Sequence, residues 1–165
     1  MNRYDIALQK PPKATRDLQV PSSGSLSGDS SETIVSSAIK MIELSIQYVL
    51  GLYDGVRHTM SSDSYKRELC TIKVALPRRS GNTTIAVSLL RKIPESVLLV
   101  NNRDIGENII RNFYLTDMAS RIKIIDFNLR GTRFDYTIVD GASYMEQAKI
   151  DYMYSALDGI FILLG

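Results

Sequence analysis

Among its 165 residues the chain has one cysteine, Cys70, and one histidine, His58. A lone cysteine excludes an intrachain disulfide and favours a reducing compartment over a secreted one. One Cys and one His in unrelated contexts make neither a zinc site nor a Cys–His dyad without ligands from elsewhere. Long apolar runs are also scarce. The best candidate, "LSIQYVLGLY", has about half the roughly 20 residues that a spanning helix needs. The polar start "MNRYDIALQKPPK" lacks the apolar stretch of a signal peptide. These shortages predict a cytoplasmic protein with no membrane partner.

With 44% hydrophobic and 23% charged residues, the composition is that of a folded domain rather than a disordered or collagen-like chain. The length suits one domain. Net charge is only +2, yet 12 of the 20 basic residues are arginine, and eight of these lie from Arg78 onward. The guanidinium fork matches phosphate oxygens, so the bias points to phosphate or nucleic acid, with a solvated basic face as the alternative. Arg121, Lys123, Arg130 and Arg133 form the densest basic neighbourhood. No interleaving of basic and aromatic residues accompanies it, and the solvated face is the better reading.

Residues 1–30, with "KPPK" and "PSSGSLSGDSS", are too poor in apolar side chains to pack and read as a disordered tail. Ser30 or Ser31 then precedes Val35, Ala38, Ile39, Met41, Ile42, Ile46, Val49, Leu50 and Tyr53 at near-helical spacing. This predicts an amphipathic helix ending between Gly51 and Gly55. It opens a helical lead-in over 31–69 to an α/β core over 70–165, the two together forming one domain over 31–165. In the core, apolar runs at 71–76, 96–101, 121–127, 135–140 and 159–165 alternate with helical patterns at 82–92, 103–115 and 145–157. The alternation predicts a mostly parallel sheet flanked by helices on both faces. The nearly continuous apolar character of "TIVD" and "IFILL" fits strands buried on both sides.

The first of these runs leads straight into "LPRRSGNTT", Leu76 to Thr84, and then into a helix. Strand, glycine-bearing loop and helix are the context of a phosphate loop, where helix N-terminal amides and the helix dipole face an anion. Against the pattern G-x-x-x-x-G-K-[ST], Leu76 holds the first glycine position and Gly81 the second. Asn82 holds the lysine position, and Thr83 that of the magnesium-binding hydroxyl. The alternative is an ordinary turn with Asn82 or a threonine capping the helix. Asp140 ends the apolar run "YTIVD", where an aspartate would hold magnesium opposite Thr83. Its alternative is an Asp-Gly turn.

Together, "LPRRSGNTTIAVSLL" and "LRGTRFDYTIVDGASYM" resemble the ATPase domain of the large terminase subunit, the DNA-packaging motor of tailed phages and herpesviruses. The likeness covers about residues 70–165 and includes Arg130, Gly131, Phe134, Asp140, Ala142 and Tyr144. It implies a P-loop NTPase-like fold of the ASCE or RecA-like kind, with ATP and Mg2+ as cofactors. Arg78, Arg79, Ser80, Gly81, Asn82, Thr83 and Thr84 would cradle the nucleotide. Arg78 would sense or stabilise the γ-phosphate as a catalytic arginine, and Thr83 and Asp140 would flank the metal. The final strand would slot between those that carry the loop and Asp140.

Two residues depart from the family pattern. Asn82 replaces the lysine that would pair with the β- and γ-phosphates, and Gly141 replaces the glutamate that would position the attacking water. One charge-stabilising group is worth about 10³ to 10⁵ in phosphoryl transfer, so efficient hydrolysis is not expected. The resemblance therefore implies a degenerate viral ATPase that binds nucleotide, a protein partner in a packaging or assembly complex, or both, with DNA as a further partner and the host cytoplasm as its location. The alternatives are an active ATPase completed by a partner subunit and an α/β interaction module that binds no nucleotide.

Overall fold

The computed structural model describes residues 29–56, 60–77, 80–126, 129 and 133–165. The expected tail lies outside them except for Asp29 and Ser30, which already belong to the first helix. In chain order the elements are α1 (Asp29–Val56), α2 (Ser62–Glu68), β1 (Thr71–Val74), α3 (Asn82–Lys92), β2 (Ser96–Val100), α4 (Arg103–Asn112), β3 (Ile122–Ile124), β4 (Tyr136–Asp140), α5 (Gln147–Ala156) and β5 (Ile160–Leu164). Single 3-10 segments span Thr116–Arg121 and Ala142–Tyr144.

The five strands form one sheet in the order β1-β5-β4-β2-β3, and every pairing is parallel. Burial follows position in that order. The interior strands β5 and β2 are buried at every residue, and β4 is buried through Thr137, Ile138 and Val139. The edge strands β1 and β3 are only partly covered. Near-continuous apolar runs thus became the strands with helices on both faces, as parallel pairing requires. The final strand, β5, lies between β1 and β4, the position implied by the terminase resemblance.

Alternate residues of each strand feed two separate cores. Ile72, Val74, Leu98, Val100, Ile138, Ile160, Ile162 and Leu164 meet Ile85, Leu89 and Leu90 of α3, Ile109 of α4, and Ala38, Ile39, Ile42, Ile46 and Val49 of α1. On the other face, Val97, Leu99, Val139, Phe161 and Leu163 pack against Ile150, Met153 and Tyr154 of α5, with Ile125 and Leu129 beside them. The long first helix is therefore a wall of the domain, packed on α3, β1 and β5. Its Glu32–Gly51 stretch is long and apolar enough to cross a membrane by length and composition, which the shorter run seen in the sequence did not anticipate. In this fold its inner face belongs to the core.

Helix α2 was not expected from periodicity, because Tyr65 is its only buried residue. It is set by local chemistry: the Ser61 side chain accepts from the Ser64 N–H at its start, and Lys66 fixes its far end. Lys66 Nζ donates to the carbonyls of Tyr154 (3.0 Å) and Leu157 (2.8 Å), closing the carboxyl end of α5. It also pairs with Asp158 at 2.8 Å.

Candidate functional site

The loop after β1 leaves a strand still tied to its neighbour: the Gly165 N–H donates to the Val74 carbonyl (3.1 Å) and the Leu76 N–H to the Gly165 carbonyl (3.2 Å). Pro77 then turns the chain, its carbonyl accepting from the Ser80 N–H (3.2 Å) and from the Ser80 hydroxyl. Gly81 follows with φ of 97°, the left-handed region that a side chain resists, and is the N-cap of α3. A Cβ placed there would come within 2.9 Å of Val35 Cγ2 on α1. Conformation and close approach both call for glycine at this position.

No side chain caps α3. The capping alternative for Asn82 or a threonine is therefore not what the sequence adopts, and the amides of the first turn are left to other partners. Thr83 Oγ1 turns instead toward the sheet and donates to Asp140 Oδ2 at 2.8 Å, across 57 residues of chain. Asp140 is the last residue of β4, so the hydrogen bond passes over the carboxyl end of the intervening β5. Partial burial pushes the Asp140 carboxyl above its usual range, opposed by the Thr83 hydroxyl and by the N–H of Gly141. The Asp-Gly turn is real as well: Gly141 has φ of 72°. Turn and carboxylate placement occur together.

Asn82, at the lysine position, leaves its Oδ1 buried with no hydrogen-bond partner among the described residues. Such an orphan costs about 1–3 kcal/mol. Thr84 is exposed beside Gly81 and, with Glu32, Val35 and Ser36 of α1, lines a groove of about 420 Å³. Arg78 and Arg79 lie outside the described residues, as do Arg130 and Gly131 of the terminase-like stretch. Phe134 and Ala142 pack on the second core, and Tyr144 is exposed.

A hydroxyl and a carboxylate 2.8 Å apart are hard oxygen donors of the kind magnesium takes. Among the described residues no three His, Cys, Asp or Glu side chains are grouped to hold a metal. A cation at this pair would complete its shell with non-protein oxygens, as magnesium does with phosphates and water. The uncapped helix start beside the pair supplies amides suited to an anion.

The basic neighbourhood does not survive as one face. Arg121 turns inward: its Nη2 donates to the carbonyls of Leu90 (2.7 Å) and Ile93 and to Ser96 Oγ (2.9 Å), and its Nε to the Ser96 carbonyl (2.9 Å). Lys123 is half-buried, and Arg133 is exposed beside Met60, Ser62 and Lys66. The role of Arg121 as the closure of α3 was missed, because its acceptors come from residues about 30 positions earlier. So was the contribution of α1 to the groove beside Thr84. The spacing of the α1 stripe reveals an inner face without saying what it covers.

Compared with protein-family models and with curated proteins, the chain matches none.

Proposed function

We propose that this chain is a phosphate-loop protein of the terminase ATPase type that binds ATP with magnesium and acts through that binding, rather than through efficient hydrolysis. One observation carries the reading. Thr83 and Asp140 occupy the metal-site positions of two separate motifs, and they meet at 2.8 Å across a strand inserted between β1 and β4. An unrelated turn has no need of that long-range pairing.

The residues present fit both ligands. The first-turn amides of α3 and the side-chain-free Gly81 would receive the phosphates, with Ser80 and Thr84 at the loop margins. Thr83 and Asp140 would hold magnesium, whose charge would offset the burial that disfavours ionised Asp140. When bound, the metal supplies charge neutralisation for the phosphates. The chain's own part is to orient the hydroxyl and the carboxylate and to keep the loop open at a glycine. Arg78 and Arg79 are assigned to the phosphates by the resemblance alone.

Two features favour binding over turnover. The amide of Asn82 brings no charge where the family has an ammonium. Gly141 stands where the family has glutamate, in a backbone conformation of φ 72° that costs an L side chain roughly 1–2 kcal/mol. Loss of the glutamate is thus built into the turn. The partner in this reading is a protein of a viral packaging or assembly complex, with DNA in second place. A module that binds no nucleotide is the second reading, favoured by the way Thr83 and Asp140 satisfy one another without a ligand.

Calorimetric titration of ATP and ADP, with and without magnesium, separates these readings. The proposal expects magnesium-dependent ATP binding, with turnover at least about 10³-fold below the usual range for phosphoryl-transfer enzymes. A chain that takes up neither nucleotide removes the first reading in favour of the second. Turnover at motor rates removes the claim that it acts by binding.

A further inference from the structure

Helix α1 carries a second apolar face that is left exposed among the described residues. Ile34, Met41, Leu44 and Tyr48 are 45%, 51%, 58% and 68% exposed, although each is large and hydrophobic. Their spacing of seven, three and four residues is that of a heptad seam, which holds one straight stripe along a helix facing a second helix. The core-facing residues Ala38, Ile42, Ile46 and Val49 lie on a different side of the helix. The charged residues Lys40 and Glu43 fall outside the stripe, and Glu43 is already paired with Lys92 at 2.8 Å. The seam itself is uncharged from Ile34 to Tyr48.

The stripe is also complementary to itself. Laid antiparallel about a two-fold axis between Ile42 and Glu43, it sets Met41 against Leu44 of a second copy. Tyr48 then meets Ser37, and Ile34 meets Gly51. Each bulky end residue faces a small one. Gly51 is the telling position, an exposed glycine inside a 28-residue helix whose added Cβ would meet nothing within 4 Å. Within its own chain it costs roughly 0.5–1 kcal/mol relative to alanine and relieves no contact. Against a second helix it gives Ile34 room for close approach.

We infer that α1 is a self-association surface and that its occupant is a second copy of this chain, docked antiparallel through the Ile34–Met41–Leu44–Tyr48 seam. The pairing is isologous, so the same patch serves both partners and the assembly closes at two. A patch of a few hundred Å² on each chain is at the upper end of what monomers leave exposed. Doubled about the axis, it reaches roughly 1,000 Å², the lower range for a specific interface. A dimer of that size is reversible rather than permanent, and its affinity is set by packing along the seam rather than by area.

Sedimentation equilibrium of the full chain from about 1 to 200 µM provides the test. A shift from 18.5 kDa toward twice that mass is expected. The Met41→Glu/Leu44→Glu double variant sets like charges face to face across the axis and should weaken association at least tenfold, with an unchanged circular dichroism spectrum. Met41→Lys/Leu44→Glu sets opposite charges together and should retain the dimer, which identifies the antiparallel register. Gly51→Leu should strengthen the helix yet weaken association, an outcome that helix propensity alone does not produce. A chain that stays monomeric throughout, or association indifferent to Met41→Glu/Leu44→Glu, overturns the inference. Monomers that co-sediment with phosphatidylglycerol vesicles would overturn it too and make the stripe a membrane-facing surface.

Discussion

Helix α3 is finished differently at its two ends. At the carboxyl end Arg121 gathers the carbonyls of Leu90, Ile93 and Ser96 and the Ser96 hydroxyl. A cation there also complements the negative end of the helix dipole. At the amino end Gly81 contributes no side-chain cap, Asn82 Oδ1 has no partner among the described residues, and Thr83 looks away from its helix to Asp140. Lys66 closes the carboxyl end of α5 in the same manner as Arg121 closes α3. The carboxyl ends of α3 and α5 are each closed by a cation, whereas the amino end of α3, at the carboxyl edge of β1, β5 and β4, has no side-chain cap. Thr137 Oγ1 on β4 is a further buried oxygen without a partner among the described residues. Uncapped amides at a helix start are suited to an anion, and the proposed nucleotide binding rests on this difference between the two ends of α3.

The sharpest way to break this contrast is at the saturated end. Arg121→Ala strands several buried acceptors and is expected to cost about 3 kcal/mol or more, a fall in melting temperature of roughly 6–12 °C, with ATP affinity in calorimetry unchanged. Equal loss of affinity would show that the two ends are not separate in function.

At the open end the signs should reverse. Asp140→Asn is expected to weaken magnesium-ATP binding by at least about 100-fold while raising the melting temperature at neutral pH by about 2–4 °C, or about 1 kcal/mol. Burial raises the Asp140 pKa, so the folded state favours the protonated carboxyl. That advantage is complete in acid, below the ordinary carboxylate range, and is lost as pH rises through the raised value. The stability gap between variant and wild type should therefore open on going from acid to neutral pH. Thermal melts across that interval check the sign, and a gap that widens in acid would contradict it.

Gly81→Ala should cost about 1–2 kcal/mol for its left-handed backbone, with added crowding against Val35. Combining it with Val35→Ala should recover only the crowding, as a double-mutant cycle in denaturant would reveal. The smallest effect belongs to Asn82→Lys. It should raise ATP affinity by about tenfold, worth about 1.4 kcal/mol. An unchanged affinity would mean that the loop does not present this position to phosphate.

What could be read from the sequence follows the range over which each interaction acts. The parallel sheet was legible because β2, β4 and β5 are short, nearly continuous apolar runs that alternate with helical patterns. The turns at Gly81 and Gly141 were legible as glycines at strand ends. Thr83 and Asp140 could be named as separate motif members, and their meeting across β5 was implied by the terminase resemblance alone, because no local pattern encodes a strand order. Arg121 was read as part of a basic surface because its charge is visible in the sequence and its four acceptors are not. Helix α2 went unseen because a hydroxyl cap and Lys66 set it, with one buried residue in place of a periodic stripe. Helix α1 was recognised by its period, but the same period concealed that it serves two faces.

Strand order also has a consequence in time. During synthesis β1 and β4 both emerge before β5, yet they are not neighbours in the sheet; β5 pairs with each of them along its length. Until residues 160–164 have left the ribosome and entered between the two strands, Thr83 and Asp140 have no framework to hold them at bonding distance. The pair is completed by one of the most non-local pairings in the chain, Thr71 with Phe161 and its neighbours, and such contacts form slowly because a long loop must close first. A nascent chain can therefore form local turns and helices before Thr83 and Asp140 can meet, and their pairing waits for the strand that joins the two halves.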